Sequence, residues 1–366
     1  MKKRSLHIMV LLALLLAGGC GGKESAWDPA MQRYTLQHDG LTREFFVFLP
    51  SSYDGMKAHP VAIFMHGYGG TATGTEAEVT QGLNQYAEEY GFVMVYPQGT
   101  WFMSRSGGEE PWEVTSWNHI SDGFDAGPEG PICEPDAARS PCPPECGNCG
   151  QCGWTSCNDD VGFLRSLVAT VTTRWQVDAT RVHVTGFSNG AMMAQRIACE
   201  APELFAAVAL VGGRLERGFE CAPSKRLPLL QINGGADETV PDDGRVSSYG
   251  QYFASTTAVT RHWNEGLACG VELEAWTSPA IEGENVQCTI ACGETDHPAI
   301  DCLWPEGNHR WPGTADFRGS NGYCVTALQA ASMPDQLICI EPEENTDFWG
   351  SRVLFEFFSA HHGEKQ

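Results

Sequence analysis

Basic residues are scarce in this chain. Its 23 Lys and Arg stand against 46 Asp and Glu, for a formal net charge of -23. A surface so poor in cations cannot neutralise a run of phosphates, which excludes nucleic acid as a natural partner. Acidity of this kind keeps a protein soluble and self-repelling and says little about its chemistry. Cysteine is missing between Cys20 and Cys133. No internal repeat is visible, and no linker divides the chain.

What is present begins with MKKR and the short apolar run LHIMVLLALLLAGG. A basic start, an apolar middle and small residues at the end read as a signal peptide over residues 1–19. The run is too short for a membrane-spanning helix. Leu16, Ala17, Gly18, Gly19 and Cys20 resemble a bacterial lipoprotein signal, which implies a lipid on Cys20 and a tether over 20–34. The expectation is an exported protein that meets a membrane only through that anchor. Setting Cys20 aside leaves 14 of the 15 cysteines. An even set in an exported chain predicts disulfides, whose pairing the sequence does not specify.

TREFFVFL (42–49), VAIFMHG (61–67) and FVMVYPQG (92–99) read as strands, with GLNQYAEEYG as a short helix between the last two. Residues 100–158 have no period and are rich in Gly, Pro, Cys and Trp, as expected of a functional loop or a stapled insertion. Order returns with a helix after Asp159, whose Val161, Leu164, Leu167, Val168 and Val171 share one face. Asp159 or Asp160 could cap it. A strand at 181–185, a helix from 189, strands FAAVALVGG and LPLLQING, a helix over 247–265 and a final amphipathic helix complete the pattern. Apolar strands alternating with helices predict an α/β fold: a mostly parallel sheet covered on both faces, in one domain over 35–362.

GFSNG (186–190) lies where a strand gives way to a helix. This is the pattern of the nucleophile elbow of α/β-hydrolases, a sharp turn that pushes a serine hydroxyl out of the sheet. It makes Ser188 the candidate nucleophile and the Asn189 N–H a candidate oxyanion donor. The acid should come next in the chain and the base last. Asp237, just past the strand LPLLQING, fits the acid better than Glu238, Asp242 or Asp243. Five histidines follow it: His262, His297, His309, His361 and His362. His309 is on a loop after the apolar CLW and before the last helix, so it is the candidate base. The loop HGYGG offers a second oxyanion donor, Tyr68 N–H first and Gly67 N–H as the alternative. His66 would fix that loop by hydrogen bonds.

HGYGG, YPQG, the Trp117–Asn118 pair, DDVGFL, VDATRVHVTGFSNGAMMA, GGADETVP and GNHRWPG together resemble the secreted esterase family of polyhydroxybutyrate depolymerases, feruloyl esterases and acetylxylan esterases. The likeness runs from about residue 35 to 360. It implies the α/β-hydrolase fold, the roles of Ser188, Asp237 and His309 given above, and no cofactor. The sequence departs from many depolymerases in lacking a cysteine after His66-Gly67 and in placing Asn233 where a histidine is common.

The expected activity is hydrolysis of feruloyl or acetyl esters of plant cell-wall xylan. The alternative is a polyhydroxyalkanoate depolymerase, and a rival of another class is a non-catalytic surface binder. CPPECGNCGQCGWTSC crowds Cys142, Cys146, Cys149, Cys152 and Cys157 together. Its spacing admits a metal, but export and the even count favour disulfides, so no metal is expected. Trp101, Trp112, Trp117 and Trp154 bracket the insertion as an aromatic wall or a local core. Trp117 and Trp311 are the candidate substrate contacts.

Overall fold

The computed structural model describes residues 31–104, 112–119, 125–127, 130–132, 140–141, 151–152, 154–217, 219, 221, 223–265, 273–314, 338 and 348–363. The signal peptide, Cys20 and most of the tether lie outside the described residues.

Among the described residues there are sixteen strands: β1 (Gln32–His38), β2 (Leu41–Phe48), β3 (His59–Met65), β4 (Val93–Pro97), β5 (Thr100–Ser104), β6 (Trp112–Ser116), β7 (Asp125–Gly127), β8 (Gly130–Ile132), β9 (Ser140–Pro141), β10 (Gln151–Cys152), β11 (Val177–Phe187), β12 (Ala207–Val211), β13 (Leu229–Gly234), β14 (Glu274–Trp276), β15 (Gln287–Ala291) and β16 (Ala299–Trp304). Ten of them form one sheet in the order β1-β2-β4-β3-β11-β12-β13-β16-β15-β14. The six from β4 to β16 are parallel, and antiparallel pairs close both edges. The helices are α1 (Ala72–Gly74), α2 (Leu83–Tyr90), α3 (Asp160–Arg174), α4 (Asn189–Glu200), α5 (Thr256–Trp263) and α6 (Trp349–Ala360).

Strands buried on both faces need no polar alternation, and β3 and β12 are apolar almost throughout. Phe45, Val47, Val61 and Ile63 point to one face, where α3, α4 and α5 pack. Phe46, Phe48, Ala62 and Phe64 point to the other, covered by α2 and α6. Each large aliphatic or aromatic side chain so buried contributes roughly 1.5–3 kcal/mol.

The α3 face is buried as the sequence predicts. Asp159 is its cap, with the side chain accepting from Gly162 N at 2.9 Å. Asp160 is instead buried against Arg43 of β2, with Oδ1 2.6 Å from Nη2. Its Oδ2 accepts from Asn118 N at 2.7 Å and from Ser156 Oγ at 3.2 Å. Sheet, insertion and helix therefore meet on one carboxylate.

Two expectations change. The helix predicted over 247–265 begins only at Thr256, where Ser255 Oγ caps Ala258 N. The preceding residues pair as bridges, Val246 with Tyr252 and Glu216 with Phe253, and cannot also be helical. The stretch from 100 is not wholly irregular, since β5 and β6 make an antiparallel ribbon. The predicted disulfides appear as Cys199–Cys221 and Cys288–Cys302, and Cys157 and Cys292 are also bonded. Cys142, Cys146 and Cys149 lie outside the described residues. Among the described residues no helix is long and apolar enough to cross a membrane, and no group of three His, Cys, Asp or Glu is placed to hold a metal.

Candidate active site

Strand β11 ends at Phe187 and α4 starts at Asn189, so a single residue makes the turn. Ser188 holds φ at +55° and ψ at -122°, a region that L-residues rarely adopt. Two glycines make the turn possible by their lack of a side chain. A Cβ on Gly186 would sit 2.3 Å from the carbonyl carbon of Gly190, and one on Gly190 would sit 2.0 Å from Met65 O of β3. The Ser188 N–H is bonded to Val211 O at the end of β12, which anchors the turn to the sheet.

The candidate acid and base arrive on neighbouring strands. The loop after β13 carries Asp237, and the loop after β16 carries His309. The two loops continue the pairing of their strands: Gly235 N donates to Trp304 O at 2.8 Å, and Ala236 N to Gly307 O at 2.9 Å. His309 Nε2 lies 2.9 Å from Ser188 Oγ, and its Nδ1 lies 2.7 Å from Asp237 Oδ2. Asp237 Oδ1 accepts from Thr239 N and Val240 N at 2.8 and 2.9 Å. Burial alone would raise the Asp237 carboxyl, but the adjacent His309 and those two amides hold it below its ordinary value. It is therefore a carboxylate, an acceptor for an N–H at His309 Nδ1, and with the proton there Nε2 would face the serine hydroxyl as an acceptor.

Sequence reasoning gave no hint of Arg214. This guanidinium is fully buried. It donates to Ala254 O at 2.9 Å, Pro241 O at 2.6 Å, Val240 O at 3.2 Å and Asn233 Oδ1. Two of those carbonyls belong to the loop that bears Asp237, so Arg214 ties that loop down.

As the first residue of α4, Asn189 presents an N–H that has no acceptor within its own helix. Its side chain is fixed from all sides. Oδ1 accepts from Trp117 N at 3.0 Å, while Nδ2 donates to Trp154 O at 3.0 Å and lies 2.8 Å from His119 Nδ1, which is also 3.2 Å from Trp117 O. Burial pushes the pKa of the His119 ring down to about 4.

Gly67 abuts the serine: a Cβ there would be 3.4 Å from Ser188 Cβ. Tyr68 follows, half-buried. His66 holds this loop, as expected. Its Nδ1 donates to Gly67 O at 2.8 Å, and its Nε2 accepts from Gly99 N at 2.9 Å. Burial also pushes His66 down to about 4.

Trp117 and Trp311 correct the sequence reading. Both are fully buried and have no ring face to offer a substrate. Trp117 Nε1 donates to His66 O at 2.9 Å and so supports the loop from behind. Trp311 Nε1 donates to Ser351 Oγ at 2.9 Å and packs against Phe64 of β3. An indole N–H needs an acceptor when buried, and both have found one inside the fold.

The model of the dienelactone hydrolase family matches residues 153–259. "Putative esterase NocK" of Nocardia uniformis subsp. tsuyamanensis is 32% identical over 275 residues, covering 70% of this chain and 67% of that one. The chain belongs to this family of α/β-hydrolase esterases. By class it is a carboxylic ester hydrolase. "Feruloyl esterase B" of Piromyces equi is 31% identical over 93 residues, 24% of this chain and 17% of that protein. "Acetylxylan esterase A" of Emericella nidulans is 27% identical over 165 residues, 44% of this chain and 40% of that protein. Among solved structures, the acetyl xylan esterase from Aspergillus awamori superposes with a TM-score of 0.49 at 16% identity, over 76% of this chain and 94% of that one.

Proposed function

We propose that residues 35–362 act as one secreted serine esterase domain with Ser188, His309 and Asp237 as its triad. The observation that carries this reading is the unbroken chain of short contacts from Asp237 Oδ2 through both nitrogens of His309 to Ser188 Oγ. His309 Nε2 takes the hydroxyl proton as Ser188 Oγ attacks the ester carbonyl. The new oxyanion receives the N–H groups of Asn189 and Tyr68, with Gly67 as the alternative to Tyr68. Collapse expels the alcohol, which takes the proton back from His309. A water then gives its proton to His309 and attacks the acyl-enzyme, releasing the acid and restoring Ser188. Asp237 keeps the imidazole in register and stabilises its positive form throughout. No step calls on a metal or cofactor.

The substrate class we propose is feruloyl or acetyl esters of plant cell-wall xylan. Support comes from the relatives named feruloyl and acetylxylan esterases. Export, with a lipid on Cys20, is supported by the leader sequence and by disulfides at Cys199–Cys221 and Cys288–Cys302.

The test is Ser188→Ala assayed on methyl ferulate, 4-nitrophenyl acetate and acetylated xylan. Hydrolysis should fall by roughly a thousandfold or more with the fold retained. Turnover at the parent's rate would end the assignment.

A further inference from the structure

The insertion brings one residue against Asn189, next to Ser188, whose geometry the ester mechanism does not explain. Trp154 holds φ at +54°, unusual for a bulky residue. Such an outlier persists only where its surroundings fix it. Here the Trp154 carbonyl accepts from Asn189 Nδ2 at 3.0 Å and from the Ser116 hydroxyl, so its backbone is held to the residue after the nucleophile.

The half-buried indole is the middle of an aromatic row. Tyr68, on the loop beside Ser188, has its ring centroid 6.1 Å away on one side. Tyr249 stands edge-on at 5.1 Å on the other. Phe253, fully buried, stacks at 6.1 Å and backs the indole. Tyr249 is 54% exposed, a large apolar ring left in water. Its loop is bound to the acid loop, with Ser248 N donating to Glu238 O at 2.7 Å. The row therefore spans from the candidate oxyanion loop to the candidate acid loop, past the residue next to Ser188.

We propose that Tyr68, Trp154 and Tyr249 form a ring-stacking wall beside Ser188 that selects esters bearing an aromatic group. This rests on the esterase reading and chooses within it. A planar ring gains from edge and offset contacts with such a wall, whereas an acetyl group reaches none of it. Tyr249 is the residue to alter, since its exposure means the fold does not depend on it.

The binding arm uses Ser188→Ala protein, which cannot turn substrate over, titrated with methyl ferulate by calorimetry. Adding Tyr249→Ala should weaken binding about tenfold, and Tyr249→Phe, which restores the ring, should recover most of that loss. The kinetic arm keeps Ser188 and compares methyl ferulate with 4-nitrophenyl acetate. Tyr249→Ala should lower kcat/KM for the ferulate about ten times more than for the acetate. Unchanged affinity, or equal losses on the two esters, overturns the wall. Hydrolysis of the acetate without any binding of methyl ferulate also overturns it and leaves the esterase reading standing. Binding of methyl ferulate by a chain that hydrolyses neither ester keeps the wall and removes the esterase reading.

Discussion

The two carboxylate oxygens of Asp237 have different duties: Oδ2 faces His309 Nδ1 at 2.7 Å, while Oδ1 is already held by Thr239 N and Val240 N. Asp237→Asn cannot satisfy both sides. The two amides demand the single remaining oxygen at Oδ1, which places an NH2 against His309 Nδ1. The ring must then carry its proton on Nε2, where it cannot accept one from Ser188. The expected result is a loss of about 10^4 in kcat with little change in Tm. A loss below tenfold would show that His309 does not depend on Asp237 for its tautomer.

Gly190→Ala tests the turn itself. Its methyl would lie 2.0 Å from Met65 O, a backbone atom at the carboxyl end of the central strand β3. The variant should fail to accumulate folded or melt far below the parent. Gly55 is the control: φ is +73° but no atom lies within 4 Å of a Cβ there. Gly55→Ala should cost only about 1 kcal/mol, from the strained backbone alone. Thermal melts of the two proteins separate steric collision from backbone strain.

Asp160→Ala leaves the Arg43 guanidinium buried without its carboxylate and strips acceptors from Asn118 N and Ser156 Oγ. Removing one member of a buried pair costs about 3–5 kcal/mol. Denaturant unfolding should show a loss in that range, and a change under about 1 kcal/mol would contradict the burial described above.

Acid should loosen the fold through its buried imidazoles. Burial pushes His66 and His119 down to about 4 and His183, stacked on Phe358, well below its ordinary value. These rings are neutral in the folded chain and take up protons near 6.5 when it unfolds. Their contribution is therefore complete above about pH 6.5 and is lost as pH falls toward about 4, at up to ~1.4 kcal/mol per pH unit for each ring. Asp237, with its lowered carboxyl, adds a loss only below its unfolded value near 3.9. Unfolding midpoints measured from pH 7 to 4.5 should fall steadily, and His183→Phe should flatten the slope. A flat profile in the parent would mean that these rings are solvated.

The candidate triad was the legible part. The GFSNG elbow singled out Ser188, and chain order with loop position singled out Asp237 and His309, because a parallel sheet gathers its loops at the carboxyl ends of successive strands. Periodicity found α3 and the central strands for the same reason: each is buried on a continuous face. It did not find β1, whose QRYTLQH is largely exposed and polar, nor β15 and β16 within a cysteine-rich stretch. Tryptophans in loops were the least readable. Composition cannot separate Trp117, sealed behind His66, from Trp154, half in water, since the difference lies in tertiary contacts: the Trp117 indole N–H donates to His66 O, whereas Trp154 is held by its own carbonyl, which accepts from Asn189 Nδ2. Arg214 left no trace, because its four acceptors come from positions scattered between Asn233 and Ala254.

Ser188, Asp237 and His309 follow β11, β13 and β16, strands that share one hydrogen-bonded frame, whereas Trp154 enters from the excursion outside it. The proposed triad is thus built into the chassis, while the proposed choice of cargo rides on an excursion that also braces Asn189 and the His66 loop. Exchanging the Trp154 indole alone, with Trp117 and the carbonyl of residue 154 kept as braces, should change which molecules are accepted while leaving the triad geometry where it stands.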